Sequence, residues 1–509
     1  MRIDNATQLE LNQYFSKIDN YVKEKEQKFV RFADFGCKIL RIISYSDKFL
    51  PHIEKQLTYV LRENSDRYDA TIYLWEEQNA LKLFQSISEK FNPAKNFKLR
   101  IELLYAKQKE FDIQIINKDF SVQKPAINYN NFYKIISAYN KKENSYYYGV
   151  KDLSAEEFIK EGHLFIQFIN EVIKSDSSNL SHGASMGLNG NGILFCARGQ
   201  RGKSTLSVLS MMRGFEYVSD DYLTIYNDNK GNLYTSPIYS IITLSPEMYG
   251  RLYDDMKGTQ FVSNNARKDK YVFNISNFHS QFRTDYPIKL AIFPEIVTDK
   301  DPSIRLCTPE EKGRAITHLI QSTLSQVSDL CEEHTIKKMY NMVKDLPFYK
   351  FNLCHDIERN TVFLRDFMNN WDKQDKTIIS APPVFIDITF NLANIIDIQS
   401  GTVYTMNTFA TNVFENLLNG VRFEDLRKEL SLYKEYNENI EYEFDLLIKF
   451  IQDKNIQLSE NKNSNINLNK EFINTDNFKL YITEFSHELG PINILEKKEN
   501  KENDKLQVK

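Results

Sequence analysis

Apolar and polar positions alternate in patterns that predict both helices and strands along most of the chain. In the first 160 residues, Leu11–Tyr21 has helical spacing, and Phe97–Leu103 alternates apolar with charged residues as a half-buried strand does. Further runs rich in β-branched and aromatic residues predict strands at Cys37–Ile43, Thr71–Trp75 and Phe111–Ile116. These patterns predict an N-terminal α+β domain over residues 1–160.

The stretch Gly192–Tyr222 has the order strand, loop, helix, strand. Its apolar run Ile193–Cys196 is short enough for a buried strand, and the loop Ala197–Gly202 follows it. An apolar helical segment then begins at Lys203 and should end near Gly214. A second extended run leads directly into the carboxylate pair Asp220-Asp221.

This order is the context in which a Gly-Lys-Ser sequence predicts a phosphate-binding loop. Amide groups of the loop and of the helix N-terminus would face an anion. Lys203 would reach the β- and γ-phosphates of ATP, and the Ser204 hydroxyl would bind Mg²⁺. The residues expected to contact the nucleotide are Arg198, Gly199, Gln200, Arg201, Gly202, Lys203, Ser204 and Thr205.

One position departs from the usual phosphate-loop pattern. Ala197 stands where the first glycine is expected, and alanine is strained if the backbone there needs a positive φ. The alternative interpretation is a plain glycine turn with an exposed lysine. The flanking strand, helix and Asp220-Asp221 pair favour nucleotide binding.

The stretch resembles the kinase domain of HPr kinase/phosphorylase, whose P-loop core is shared with ATP-dependent phosphoenolpyruvate carboxykinases. His182-Gly183 precedes Lys203 by 21 residues, and Asp220 and Asp221 follow Ser204 by 16 and 17 residues, which are the family spacings. The resemblance implies that Asp221 takes the proton from a serine hydroxyl. It covers about residues 180–225 clearly and extends more loosely to about 370.

The resemblance gives a catalytic set of Asp221, Lys203 and His182. Ser204 and Asp220 are expected to bind Mg²⁺, with Glu247 as an approximate match to the acidic ligand farther along the chain. Thr205 stands where bifunctional HPr enzymes carry glutamate, so kinase activity is favoured over phosphatase activity. A structural role for His182 stays an alternative, and the other histidines read as surface or core residues.

The remaining patterns of residues 161–372 complete a nucleotide-binding domain. Glu161–Ile173 predicts a helix, a turn at residues 227–231 predicts a hairpin, and residues 309–345 read as helical. Lys289–Phe293 predicts a core strand. The basic cluster Ala266–Tyr271 is either a solvated turn or a contact to transferring phosphate.

After a proline-containing linker at Ser380–Pro383, three short strands and three helices are predicted within residues 381–457. The strands are Val384–Ile388, Ala393–Ile398 and Val403–Asn407, and the helices begin near Thr408, Phe423 and Tyr442. The order resembles the PqqD-like domain, which implies that the leader of a ribosomally made precursor peptide adds as a strand to the sheet edge. A plain helical cap on the kinase is the alternative. Residues 458–509 are polar and predict a disordered tail, with a short ordered patch at Phe478–Phe485 as an alternative.

Composition narrows the class of protein. A net charge of −4 and a pI of about 6.2 give no indication of nucleic-acid binding. The five cysteines are scattered, the N-terminus lacks a secretory signal, and no run reaches about 18 apolar residues. We therefore expect a cytoplasmic protein without a membrane segment. HPr kinases are hexameric as a family, so the resemblance allows a homo-oligomer, but the sequence does not identify the oligomeric state.

Together these patterns predict an α/β and α+β multidomain protein with an HPr kinase-like core and a PqqD-like, winged-helix-type module. The expected activity is phosphorylation of Ser or Thr in a precursor peptide or protein held by the module, with ATP and Mg²⁺ as cofactors. An ATP-hydrolysing maturation factor and a non-catalytic peptide-binding scaffold are the alternatives. The sequence does not identify the acceptor residue.

Overall fold

The computed structural model is of mixed α and β type, with several sheets flanked by helices. It describes residues 20, 23–76, 113–115, 127–130, 135–140, 144–150, 163–197, 201–252, 254, 260–265, 270–275, 278, 280–297, 301–327, 333–389, 392–432, 438–454, 456, 466, 482–486 and 490–493.

The N-terminal region contains an eight-stranded sheet with one helix beside it. Its elements are β1 (Phe29–Asp34), β2 (Ile39–Ser44), α1 (Leu50–Leu57), β3 (Leu61–Arg62), β4 (Ala70–Glu76), β5 (Ile113–Ile115), β6 (Ile127–Asn130), β7 (Ile135–Asn140) and β8 (Ser145–Val150). The strand order is β3-β1-β2-β4-β8-β7-β6-β5, with β4 parallel to both β2 and β8. The predicted strands at 37–43 and 71–75 are confirmed, and so is the described part, residues 113–115, of the strand predicted at 111–116. The strand predicted at 97–103 lies outside the described residues, as does the helix predicted at 11–21 apart from Asn20.

A nine-stranded sheet follows, with helices on it and a small three-stranded sheet beside it. Its elements and their neighbours in chain order are α2 (Ile166–Ile173), β9 (Ser178–His182), β10 (Ala184–Leu188), β11 (Asn191–Phe195), α3 (Lys203–Met212), β12 (Glu216–Ser219), β13 (Tyr222–Asn227), β14 (Leu233–Pro237), β15 (Ile241–Leu244), α4 (Pro246–Arg251), β16 (Gln260–Asn265), β17 (Lys270–Asn274), β18 (Tyr286–Ile296), β19 (Ser303–Leu306), α5 (Pro309–Val327), α6 (Glu333–Val343), β20 (Phe348–Leu353) and α7 (Ile357–Asn369). The large sheet runs β12-β10-β11-β18-β14-β13-β9, and β20 joins β18 and β19, while β15-β17-β16 form the small sheet.

Strand directions in this sheet decide where the loops meet. β11 and β12 each pair antiparallel with β10, which lies between them, so they run parallel to each other. β18 is parallel to β11, and β20 is parallel to β18. The carboxyl ends of β11 and β12 therefore meet at one edge of the sheet. The predicted hairpin around residues 227–231 is confirmed by the antiparallel pairing of β13 with β14.

Helix α3 is buried on two sides, which fixes the loop that precedes it. Leu206 packs into an apolar cluster with Phe195, Ile292 and Leu364, while Val208, Leu209 and Met211 pack into a second cluster. Because so much of the helix is buried, hydrophobic burial holds its N-terminus against the sheet edge.

One apolar core joins the N-terminal sheet to the central one. It contains Leu40 and Ile53 from the N-terminal region and Ile169, Tyr222 and Ile241 from the central region. The chain divides into two compact units, the first being Met1–Leu306, Ser325–Asp329 and Leu346–Thr377. The sequence predicted four segments with other boundaries, and that division stays a prediction.

The second unit consists of Cys307–Leu324, Leu330–Asp345 and Ile378–Lys509. Its later elements are β21 (Val384–Thr389), β22 (Leu392–Asp397), β23 (Thr402–Met406), α8 (Thr408–Leu418), α9 (Phe423–Leu430), α10 (Glu438–Asp453), β24 (Ile482–Ser486) and β25 (Gly490–Asn493). The predicted order of three strands and three helices is confirmed for residues 384–453. Asn407 caps α8, because its carboxamide oxygen accepts the amide of Ala410 at 2.9 Å.

The five-stranded sheet of this unit has the order β21-β22-β23-β24-β25. Its last two strands lie within residues 458–509, and β24 overlaps the ordered patch that the sequence offered at Phe478–Phe485. For the rest of this segment, disorder stays a prediction. Within the described ranges, no helix combines the length and the apolar character needed to cross a bilayer.

Candidate functional site

The shared edge of β11 and β12 brings the predicted phosphate loop next to the carboxylate pair. The loop leaves the end of β11, α3 begins at Lys203, and Asp220-Asp221 follows the end of β12. The Ser204 hydroxyl lies 3.5 Å from the backbone carbonyl of Asp220. The strand directions therefore account for a proximity that the sequence spacing could only suggest.

Lys203 is held against the loop that it follows. Its side chain is 6% exposed, and its ammonium group donates a hydrogen bond to the carbonyl of Ala197. Gly202 has a φ of +82°, which starts α3 in the left-handed region that favours glycine. Ala197 is not among the described non-glycine residues with positive φ, so alanine is tolerated there without strain.

Gly202→Ala should lower the free energy of unfolding by about 1–2 kcal/mol from the left-handed backbone alone. It should also disturb the loop, because an added Cβ would lie 3.1 Å from Cδ1 of Leu353. Gly190→Ala is a matched control, with a φ of +78° and nothing within 4 Å of the added atom. Urea denaturation should show a larger loss of stability for Gly202→Ala than for Gly190→Ala, and only Gly202→Ala should weaken ATP binding. Equal effects in both variants would contradict a special role for Gly202.

Ser204 and Asp220 fit a magnesium site. Mg²⁺ prefers oxygen ligands and takes few of them from protein, leaving the rest to phosphate and water. Asp220 is buried at the strand end, and Ser204 stands in the first turn of α3 beside it. In the described part of the chain no group of three or more His, Cys, Asp and Glu side chains is arranged as a metal site. The Ser204 hydroxyl and the Asp220 carboxylate are oxygen ligands of the kind that Mg²⁺ prefers, and their joint binding of the metal stays a prediction.

The remaining predicted site residues stay a prediction. Glu247 lies in the first turn of α4, where its exposed carboxylate pairs with Arg251 at 2.7 Å. Arg198, Gly199 and Gln200 lie outside the described residues, as do residues 266–269 of the basic cluster. Arg201 and Thr205 are partly exposed at the start of α3.

Two histidines hold the carboxylate of Asp221. Nε2 of His182 lies 2.6 Å from Oδ1, and Nε2 of His163 lies 2.9 Å from Oδ2. Strand register places His182, because it pairs opposite Tyr222, and the Gly183 amide donates to the Asp221 carbonyl at 2.9 Å. The structure thus brings His182 to the predicted catalytic carboxylate.

His163 was grouped with the histidines that the sequence assigned to surface or core, and its contact with Asp221 was missed. Its ring packs edge-on against Tyr222 at 4.6 Å and lies 5.4 Å from the ring of Tyr239. The Tyr239 hydroxyl donates to the carbonyl of Leu164 at 2.8 Å, and the Leu164 amide donates to Oε1 of Gln56 at 3.0 Å. No sequence spacing links His163 to Asp221, so only the tertiary packing reveals the contact.

The electrostatics of Asp221 follow from these neighbours. Burial acts to raise the pKa of the carboxyl group, but the charge of His182 and the contacts of both histidines outweigh it and hold the pKa well below the usual value. The side chain keeps 24% of its exposure, so substrate can reach it. Asp221 is therefore an ionised carboxylate throughout the neutral range.

The low pKa of Asp221 makes a prediction about stability and pH. A carboxylate whose pKa falls on folding stabilises the protein above its unfolded pKa of about 3.9, and the effect is lost as pH falls through the folded pKa. Asp221→Asn should therefore lower the free energy of unfolding by about 1.5–3 kcal/mol at pH 7, the usual contribution of hydrogen bonds to a charged group. The difference between the two proteins should shrink below about pH 4. Urea denaturation at several pH values measures this difference in the free energy of unfolding. A difference that does not change with pH would contradict a lowered pKa of Asp221 in the folded protein.

No family model matches the sequence, and no curated protein matches it. Among solved structures, the chain is similar to the HPr(Ser) kinase/phosphatase from Coxiella burnetii, with 12% sequence identity and a TM-score of 0.21. The match covers 38% of this chain and 99% of that one. A TM-score of this size carries no argument about function or mechanism, so the site geometry has to carry the functional conclusion.

Proposed function

We propose that the chain is an ATP-dependent kinase that phosphorylates a Ser or Thr hydroxyl of a precursor peptide or protein. The observation that carries this proposal is the meeting of Lys203, Ser204, Asp220 and Asp221 at one sheet edge. A lysine at a helix N-terminus with an oxygen pair for Mg²⁺ suits triphosphate binding. A further, partly exposed carboxylate suits the orientation of an attacking hydroxyl.

The residues then divide the work of phosphoryl transfer. ATP with Mg²⁺ would supply the γ-phosphoryl group and neutralise part of its charge, with Ser204 and Asp220 holding the metal. Lys203 would leave the Ala197 carbonyl and contact the phosphates. Asp221 would accept the hydrogen bond, and then the proton, of the acceptor hydroxyl. A carboxylate of low pKa is a weak base, so its contribution is mainly orientation, which suffices for a loose phosphoryl-transfer transition state.

The two histidines would keep Asp221 ready for that role. Each imidazole contacts one carboxylate oxygen, and together they fix the plane of the carboxyl group. Each oxygen has a second lone pair that can face the substrate. His182 and His163 would thus act by positioning the base rather than by touching the phosphate.

The module of residues 381–457 is the proposed holder of the substrate. Three antiparallel strands followed by α8, α9 and α10 support its comparison with the PqqD-like domain, in which a leader peptide adds to the sheet. Holding the precursor on the same chain would raise the effective concentration of its acceptor residue.

Incubation with ATP labelled at the γ-phosphate tests the proposal. Label should move to the precursor peptide, or to a Ser or Thr of a protein substrate, in a reaction that depends on Mg²⁺. Release of the label as inorganic phosphate alone would contradict the kinase and favour an ATP-hydrolysing maturation factor. Absence of ATP binding, with peptide binding retained, would favour a non-catalytic scaffold.

A further inference from the structure

The residue after His163 is held by hydrogen bonds at both of its backbone groups. The amide of Leu164 donates to Oε1 of Gln56 at 3.0 Å, and the carbonyl of Leu164 accepts the hydroxyl of Tyr239 at 2.8 Å. Leu164 is itself buried in the apolar core that joins the N-terminal sheet to the central one. The peptide groups on both sides of Leu164 are therefore fixed, and so is the backbone next to His163.

The partner of the Leu164 amide comes from a distant part of the chain. Gln56 lies in α1, 108 residues before Leu164. Its backbone carbonyl accepts the amide of Ser240 at 2.6 Å, and Ser240 directly follows Tyr239. Gln56, Leu164 and the Tyr239-Ser240 pair thus form a closed circuit of hydrogen bonds. A buried polar network of this kind makes its members rigid.

Packing alone does not explain the buried side chain of Gln56. It lies on the face of α1 that also buries Ile53 and Leu57. Among the described residues, its carboxamide nitrogen has no hydrogen-bond partner. Taking an amide group out of water costs free energy unless hydrogen bonds replace those to water. A carboxamide kept in the core at this cost calls for a further reason, and the contact with the Leu164 amide is the one that the structure shows.

The backbone beyond Leu164 departs from the ordinary conformations. Phe165 has a φ of +63°, in the left-handed region that favours glycine, and its side chain is buried. The carbonyl of His163 accepts the amide of Ile166, where α2 begins, at 3.3 Å. A bulky residue keeps such a conformation only where the surrounding contacts impose it. The hydrogen bonds to Leu164 and the burial of Phe165 are contacts of that kind.

This short segment decides where the imidazole of His163 lies. Nε2 of His163 is 2.9 Å from Oδ2 of Asp221, and the ring packs edge-on against Tyr222 at 4.6 Å. A shift of the backbone at His163 would withdraw one of the two imidazoles that hold the Asp221 carboxylate. A displacement of about 1 Å in a catalytic group can lower a rate by about 10²-fold.

We propose that Gln56 is a positioning residue for phosphoryl transfer: it holds the backbone of Leu164, which places His163 against Asp221. The N-terminal region thereby belongs to the catalytic apparatus of the central region. The proposal rests on the proposed function for the reaction itself, whereas the placement of His163 is a property of the fold that can be measured without it.

Gln56→Met keeps the length of the side chain and removes the acceptor of the Leu164 amide. Phosphoryl transfer at saturating Mg·ATP should fall about tenfold. The KM for ATP should stay the same, because the phosphate loop binds the nucleotide. Tyr59→Phe is the control, since it removes a hydroxyl that donates to the Ile275 carbonyl at 3.2 Å, two residues after α1. This control should leave the rate unchanged.

A double-mutant cycle separates positioning from a general loss of structure. In a His163→Ala background, Gln56→Met should lower the rate by less than about twofold, since the group that it positions is already absent. Tyr239→Phe removes the hydroxyl bound to the carbonyl of Leu164 and serves as the second variant if Gln56→Met does not fold. It should lower the rate of the wild type and have the same small effect in the His163→Ala background.

The position of the His163 ring can be followed without phosphoryl transfer. In protein labelled with ¹⁵N-histidine, the Nε2 signal of His163 is assigned by its loss in His163→Ala. This signal should move in Gln56→Met and in Tyr239→Phe, and it should stay in place in Tyr59→Phe. Circular dichroism and the urea midpoint of each variant show whether the fold is intact.

A His163 signal that moves in neither Gln56→Met nor Tyr239→Phe would overturn the proposal. Equal losses of transfer by Gln56→Met in the wild-type and His163→Ala proteins would also overturn it. If the wild type transfers no phosphate, the kinase is contradicted, and the His163 signal still decides whether Gln56 places this ring.

Discussion

Replacing Asp221 by asparagine is expected to lower phosphoryl transfer by about 10²- to 10⁴-fold while Mg·ATP still binds. Asparagine keeps the shape of the side chain and one carbonyl oxygen, but it loses the negative charge that orients the acceptor hydroxyl and receives its proton. Lys203, Ser204 and Asp220 remain to bind the nucleotide. Phosphopeptide yield measures transfer, and calorimetry with Mg·ATP measures binding.

Asp220→Asn is the matched control, one residue away on the same loop. It should raise the Mg²⁺ concentration needed for activity, and excess metal should partly restore the rate, because Asp220 is expected to hold the metal. Excess metal should not restore Asp221→Asn. Full phosphoryl transfer by Asp221→Asn would contradict the proposed role of this carboxylate. If the wild type binds ATP normally but transfers no phosphate, a scaffold is favoured.

Lys203→Ala should weaken Mg·ATP affinity at least tenfold, which corresponds to about 1.4 kcal/mol of binding free energy. The variant removes the cation expected at the phosphates, and it also removes the hydrogen bond to the Ala197 carbonyl. Circular dichroism and the urea midpoint should therefore be measured beside affinity, so that loss of the site is separated from loss of the fold.

Arg201→Ala provides a cation control in the same loop. Arg201 is partly exposed, and removing it should weaken ATP binding in a way that fades at high salt. The effect of Lys203→Ala should persist at high salt, because the Lys203 side chain is buried. Unchanged affinity in Lys203→Ala would remove the nucleotide site from this loop.

The sequence predicted the local elements of the site well, because each carries a local signal. The apolar run before Ala197, the helix after Gly202 and the extended run before Asp220 all follow from periodicity and turn residues. The structure places them as β11, α3 and β12. The strain that the sequence suggested at Ala197 is absent, because the backbone of this residue does not take a positive φ.

What the sequence missed depends on tertiary contacts. His163 meets Asp221 because packing against Tyr222 and Tyr239 places its ring there, and no spacing along the chain encodes that packing. For β24 the sequence offered only a short ordered patch at Phe478–Phe485, because pairing with β23 depends on a strand far away in the chain.

The buried Gln56 side chain has a consequence for how this protein can evolve. Gln56 lies in α1 of the N-terminal region, yet its carboxamide oxygen accepts the amide of Leu164, the residue after His163. The backbone carbonyl of Gln56 accepts the amide of Ser240, which lies between β14 and β15. Recombination that exchanged the N-terminal region for an unrelated sequence would remove the hydrogen bond that holds the residue next to His163. The N-terminal region and the region that contains the site are therefore expected to evolve together, although they are far apart in the sequence.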